Sequence, residues 1–208
     1  MEALLELYRV PYDPRQPVVC MDEASNQLIA ETRLRFPMQV GQPARCDYEY
    51  ERKGVCNQLL FFEPLRGWRK VFVRPRRTML DWAWCIQQLL DRYYPNVRGV
   101  RLVLDNLNTH TAASLYQAFE PAEALQLLKR LEFHYTPKHG SWLNMAEIEI
   151  GVMNQQCLDR RLEDENIVAD EVAAWEAQRN GEEAKVRWRF SVDDARVKLK
   201  KIYPSNKN

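Results

Sequence analysis

A carboxylate at the end of an apolar strand is expensive to bury without a partner, and this chain places two of them there and a third at the start of a helix. Asp22 closes the run Val18-Val19-Cys20-Met21, and Asp105 closes Val100-Arg101-Leu102-Val103-Leu104. Glu147 ends the segment Gly140-Ser141-Trp142-Leu143-Asn144-Met145-Ala146. If these elements converge, hard divalent cations with oxygen ligands are the natural compensating charge. Such a cluster suits phosphoryl transfer, in which two ions about 3.5–4 Å apart serve the attacking and leaving oxygens. With 29 acidic residues in the chain, placement and not abundance singles these three out.

The 208 residues, 46% of them hydrophobic, are enough for one substantial core with appendages. No run approaches the roughly 18 consecutive apolar residues of a membrane span, and the start Met1-Glu2-Ala3-Leu4-Leu5-Glu6 is acidic where a signal peptide is basic. A soluble cytoplasmic protein without a membrane partner is expected. Cys20, Cys46, Cys56, Cys85 and Cys157 are scattered, with no C-x-x-C spacing for zinc, and read as reduced and mostly buried thiols. Net charge is +1, yet unevenly spread. Arg66, Arg69, Lys70, Arg74, Arg76 and Arg77 share a stretch without an acid, while 159–183 is mostly acidic.

Helical spacing at Leu4, Leu5 and Tyr8 followed by Pro11, Pro14 and Pro17 predicts a short helix and a linker over 1–16. A buried strand is expected at 18–21, and a hairpin from 56–62 and 68–73 around the turn at 64–67. Thr78 caps a helix with Leu80, Trp84, Ile86 or Gln87, and Leu90 on one face. Then come a strand at 100–104, helices at 112–119 and 121–131, a strand at 131–135, and a helix from Trp142 to about Cys157. Further helices are expected at 168–183 and 192–201. The order implies an α/β layer architecture, its late strands reached through helical crossovers and parallel to the first. If the fourth strand lies beside the first, Asp22 meets Asp105.

Other residues carry two readings each. Glu23, one residue on from Asp22, points to the opposite strand face and is read as structural. Lys138, His139 and the amides of Gly140 and Ser141 precede a helix N-terminus, where phosphate is favoured, although a plain loop has the same composition. Arg74, Arg76 and Arg77 could grip a DNA backbone electrostatically, although such runs are often merely exposed surface. Trp82 and Trp84 are read as helix packing. Leu143, Ala146, Ile150, Met153 and Cys157 define a buried helical face with Glu147 and Glu149 on opposite flanks, so periodicity leaves the third carboxylate open between those two.

The segments Asp105-Asn106-Leu107-Asn108-Thr109-His110 and Tyr135-Thr136-Pro137-Lys138-His139-Gly140-Ser141-Trp142-Leu143-Asn144-Met145-Ala146-Glu147 resemble the catalytic core of bacterial insertion-sequence transposases of the mariner superfamily. Val18-Val19-Cys20-Met21-Asp22-Glu23 looks like that family's first-strand motif. The resemblance implies an RNase H-like fold, with a central mixed five-stranded sheet and helices on both faces, over 17–160, and a C-terminal helical extension over 161–208. It implies a DDE triad of Asp22, Asp105 and Glu147, the L-N-x-x-E motif selecting Glu147 over Glu149, with Asn106 and His110 at the edge of the site. It further implies two Mg²⁺ ions with Mn²⁺ as substitute, double-stranded transposon-end and target DNA as partner, a homodimer as the active assembly, and association with the nucleoid. The expected activity is DNA cleavage and strand transfer; a nuclease or resolvase on the same fold, or a non-catalytic regulator of transposition, is the alternative. Two features depart from the family. Residues 106–146 separate Asp105 from Glu147, longer than the usual spacing, and no N-terminal helix-turn-helix region precedes the linker.

Overall fold

The computed structural model describes residues 1–33, 40, 41, 48–201 and 203. Five strands form one mixed sheet, in the order β3-β2-β1-β4-β5. They are β1 (Val18–Glu31), β2 (Tyr50–Glu63), β3 (Trp68–Arg74), β4 (Val100–Leu104) and β5 (Leu131–Tyr135). The first three are antiparallel neighbours, whereas β4 runs parallel to β1 and β5 parallel to β4. The expected hairpin at 64–67 is the β2–β3 turn. The first two strands are longer than their apolar runs, because the β1–β2 ladder continues through the mostly polar residues 22–27, through 28–31, where Leu28 and Ala30 are buried, and through the exposed residues 50–55. Backbone hydrogen bonds build that ribbon, and residues 50–55 are exposed, so it carries no continuous apolar run.

Alternation along the strands sends side chains into two cores. On one face Val19, Met21, Leu59, Phe61, Leu102 and Leu104 pack under α2 (Met79–Gln88), α3 (Ala112–Ala118) and α4 (Pro121–Lys129). On the other, Cys20, Leu60, Phe62 and Val103 meet α1 (Glu2–Leu7), α5 (Met145–Met153), α6 (Glu165–Gly181) and α7 (Val192–Lys198). Helices α1, α6 and α7 therefore share the second core with the sheet: Leu4, Leu5 and Leu7 lie in one cluster with Val168, Trp175 and Ala195. Helix α2 starts at a capping box in which Thr78 Oγ1 accepts from the Asp81 N–H and the Asp81 side chain accepts from the Thr78 N–H. Its buried face differs from the expected one. Trp82, Cys85 and Ile86 turn inward while Leu80 and Trp84 stay exposed; Trp84 nevertheless packs edge-on against Phe72 and under Arg74.

Strand β3 is a sheet edge, and such an edge needs cover. Helix α6 supplies it through polar side chains. Asn180 Oδ1 accepts from the Arg69 N–H at 2.8 Å while its Nδ2 donates to the Arg69 carbonyl at 2.9 Å. Glu176 accepts from the Val71 N–H at 2.8 Å and from Lys70 Nζ. Below them Arg69 and Glu149 are fully buried, with Arg69 Nε 2.9 Å from Glu149 Oε1, and Arg179 adds bonds to both Glu149 oxygens. The Arg69 Nε–H is not aligned on that oxygen, so the pair is Coulombic; Arg69 makes its own hydrogen bond to the Ala184 carbonyl. The basic stretch 66–77 is therefore no continuous exposed band.

Cys20, Cys56 and Cys85 are buried free thiols and Cys157 is half-buried; burial pushes Cys20 and Cys85 up to about 12. Cys46 lies outside the described residues. Removing one member of a buried ion pair leaves the other uncompensated, at a cost of about 3–5 kcal/mol. Glu149→Ala is thus expected to destabilise the protein by about that amount in urea unfolding, while the paired replacement Arg69→Met with Glu149→Leu recovers most of the loss.

Candidate active site

The parallel pairing of β1 with β4 aligns Val18 with Arg101, Val19 with Leu102 and Cys20 with Val103. Continued by two residues, that register sets Asp22 level with Asp105. The third acid arrives through Asn144. Its side chain caps α5 by accepting from the Ala146 N–H at 3.1 Å, and its Nδ2 donates to the Met21 carbonyl at 2.8 Å and to Asp22 Oδ2 at 3.3 Å. One buried amide thus joins the start of α5 to the strand that carries Asp22. Glu147, in the first turn of α5, is exposed, whereas Glu149 is committed to Arg69 and Arg179.

The electrostatics follow from this arrangement. Burial first, and then the charges of Asp105 and Glu147, raise the Asp22 carboxyl from its ordinary 3.8 to about 6, against the Glu23 N–H donated to it at 2.8 Å. Asp105 accepts from His110 Nδ1 at 2.6 Å. A hydrogen bond given to the carboxylate places the ring proton on Nδ1. His110 itself is buried against Trp82, with its carbonyl bonded by the Tyr135 hydroxyl and Nε2 at 3.9 Å from Glu23. Glu23, on the opposite strand face as expected, is held up by burial and faces His110 and then Arg77.

Asn106 is exposed beside Asp105 and makes no hydrogen bond among the described residues. The loop after β5 is tied to β4 by the Thr136 N–H on the Leu104 carbonyl. It exposes Lys138, His139 and Ser141. His139 takes a positive φ of 62°, and Gly140 is needed because a Cβ there would stand 2.5 Å from Pro137 Cγ. Residues 141–143 form a single 3₁₀ turn, so Trp142 precedes α5 and does not belong to it. Of the arginine cluster, Arg74 is bound to Asp81, Arg76 is exposed without an ion pair among the described residues, and Arg77 lies 3.7 Å from Glu23.

Among the described residues, no group of three or more His, Cys, Asp or Glu side chains is drawn tightly enough to hold an ion as it stands. The donor chemistry nevertheless fits a hard divalent cation. Asp22 and Glu147 have no basic partner among the described residues, Asp105 has only His110, and their mutual repulsion is left for an added positive charge to relieve.

Strand order and strand direction are those of an RNase H-like catalytic domain, with the acids where the β1–β4 pair meets α5. The chain belongs to the DDE superfamily endonuclease family, whose sequence pattern matches residues 17–168. The fold is similar to solved structures of Mos1. The mariner paired end complex with Mn matches at a TM-score of 0.59 with 18% identity, over 88% of this chain and 54% of that one. The Mos1 strand transfer complex matches at 0.58 with 17% identity, over 85% of this chain and 51% of that one. The paired end complex with Mg matches at 0.53 with 17% identity, over 98% and 61%. This chain thus spans a little over half the length of those proteins. No curated protein matches it in sequence.

The motif Leu143-Asn144 was visible in the sequence, but Asn144's bond to β1 was not. Asn144→Ala removes the cap, worth about 1 kcal/mol, and frees α5 from Asp22; a loss of about 10–100-fold in any activity of the site is expected, as for other residues that orient ligands. Asp22→Asn tests the cost of burying this charge beside Asp105 and Glu147. The folded state raises this carboxyl above its unfolded value, so ionisation costs stability that is fully lost above pH ~6 and restored below 3.8. In metal-free buffer the Asn variant should be more stable than wild type above pH ~6, on the order of 1–2 kcal/mol, with the advantage vanishing in acid. Urea unfolding across that pH range measures it.

Proposed function

We propose that this chain is the catalytic domain of a DDE transposase from a bacterial insertion sequence, cutting and joining DNA phosphodiesters. The carrying observation is geometric: the β1–β4 register sets Asp22 level with Asp105, Asn144 ties the start of α5, which bears Glu147, to Asp22, and His110 is the one basic side chain paired with any of the three acids among the described residues. Family membership and the likeness of fold to transposase complexes support it.

In this reading Asp22, Asp105 and Glu147 hold two Mg²⁺ ions, for which Mn²⁺ substitutes. Bound there, the metal supplies Lewis-acid polarisation of the scissile phosphate and a more acidic water. The side chains then have distinct tasks. His110 orients Asp105 through its Nδ1 hydrogen bond, and Asn144 holds Asp22 against the first turn of α5. Water attacks the phosphorus at the element's end, its oxygen bonds to phosphorus, and the released 3′-oxygen becomes a hydroxyl. That 3′-oxygen attacks a target phosphodiester in turn and displaces the target's own 3′-oxygen. No covalent intermediate with the protein is required. Asn106, exposed next to Asp105, borders the substrate. Arg76 and Arg77 beside Glu23, and Lys138, His139 and Ser141 on the loop before α5, contact DNA phosphates, with Arg74 a lesser contributor because Asp81 already holds it. A homodimer is the working assembly, since two element ends must be joined to one target.

Pre-cut end DNA and a plasmid target separate this reading from a nuclease, which would hydrolyse DNA without joining it. Folded Asp105→Asn and Glu147→Gln proteins, which keep side-chain size while losing an anionic ligand, should lose Mg²⁺-dependent cleavage and joining to background. Full activity in either, with unchanged unfolding, overturns the assignment.

A further inference from the structure

Between α6 and the Ser191 cap of α7, the segment Lys185-Val186-Arg187-Trp188-Arg189-Phe190 alternates in burial. Val186, Trp188 and Phe190 pack against the α5-side core, while Lys185, Arg187 and Arg189 are exposed. The inward row is firmly seated. Val186 N–H donates to the Pro64 carbonyl, Trp188 packs on Tyr8 with ring centroids 5.3 Å apart, and Trp188 stacks on Trp142 at 6.3 Å. Phe190 meets the same Trp142 edge-on at 5.6 Å. Trp142 itself is 40% exposed and stands two residues before Asn144, whose side chain bonds Asp22, so the inward row packs on the turn that leads into α5.

The outward row is charged and largely unspent. Arg69, Arg74, Arg161 and Arg179 are bound to carboxylates. Arg187 and Arg189 form no ion pair or hydrogen bond among the described residues, and Lys185 has only an exposed contact with Glu183. Alternate residues of an extended chain recur every ~6.6–7.2 Å. The result is a line of cations on a fixed apolar footing, suited to a polyanion running along it and poorly suited to a compact ligand.

We propose that Lys185, Arg187 and Arg189 form a rail for the DNA backbone, leading to the carboxylate site past Trp142. The inference rests on the reading of the chain as a DNA-cutting domain. Contacts of this kind position the duplex and do not read its sequence, and each neutralised phosphate contributes about 0.9 to the slope of log affinity against log salt.

The test is fluorescence anisotropy of a labelled DNA duplex with the full chain, from about 50 to about 200 mM salt. Arg187→Gln with Arg189→Gln should reduce the slope by about 1.8, and each single variant by about 0.9, with unfolding midpoints unchanged because both side chains are exposed. Arg92→Gln with Lys129→Gln removes the same charge from the opposite helical layer and should leave the slope where it was. An unchanged slope in the folded rail variant, or an equal fall in the control, overturns the rail. Metal-dependent cleavage by wild type is assayed in parallel. Cleavage with an unchanged slope removes the rail alone; the expected slope change without any cleavage supports the rail and removes the catalytic reading. A wild type that does not bind the duplex removes both.

Discussion

The parallel pairing of β1 with β4 is the constraint on which the site depends. Antiparallel strands can be joined by a tight turn, but parallel ones need a crossover, and here the chain makes β2, β3 and α2 before β4 returns beside β1. The register then decides everything about the two aspartates. A slip of one residue would send one of them to the opposite face of the sheet, where Trp82 and His110 already fill the space.

Bringing three acids together opposes folding, and the surrounding structure is arranged to tolerate it. Asp22 keeps one N–H and one amide donor, and Asp105 keeps His110. None of these neutralises the cluster, and the Asp22 carboxyl is raised by its burial first and then by the charges of Asp105 and Glu147. A few residues along the same helix, Glu149 has the opposite fate: two guanidinium groups meet it, and it serves packing. The two glutamates differ in which face of α5 they occupy, and so in whether arginine or open space meets them.

Support for α5 comes from both ends of the chain. The Tyr8 hydroxyl donates to the Leu143 carbonyl at 2.7 Å, Trp175 Nε1 donates to Gln156, and Arg179 holds Glu149. Helix α6 does this while closing the β3 edge with Asn180 and Glu176. Segments that a linear reading sets apart as a linker and an extension thus press the helix bearing Glu147 onto the sheet.

Element types were legible in the sequence wherever apolar residues carried the pattern. The runs 100–104 and 131–135, the hairpin turn at 64–67 and the cap at Thr78 all stand where their residues put them. The extension of β1 past Asp22 and of β2 before Cys56 was not legible, because polar and exposed residues interrupt the apolar pattern and the ladder is made by backbone groups that every residue possesses. The inward face of α2 was misjudged, since Trp82 and Trp84 are equally hydrophobic and only the β-sheet beneath selects between them. Local sequence determined which acids stand at strand ends and helix starts, along with the His110 and Asn144 that accompany them. Only the tertiary structure decided that Asp22 and Asp105 are level, that Asn144 ties α5 to β1, and that Glu149 is consumed by Arg69. Each of those depends on partners more than thirty residues away in the chain, and short-range periodicity carries no information about which distant backbone or charge will complete a contact.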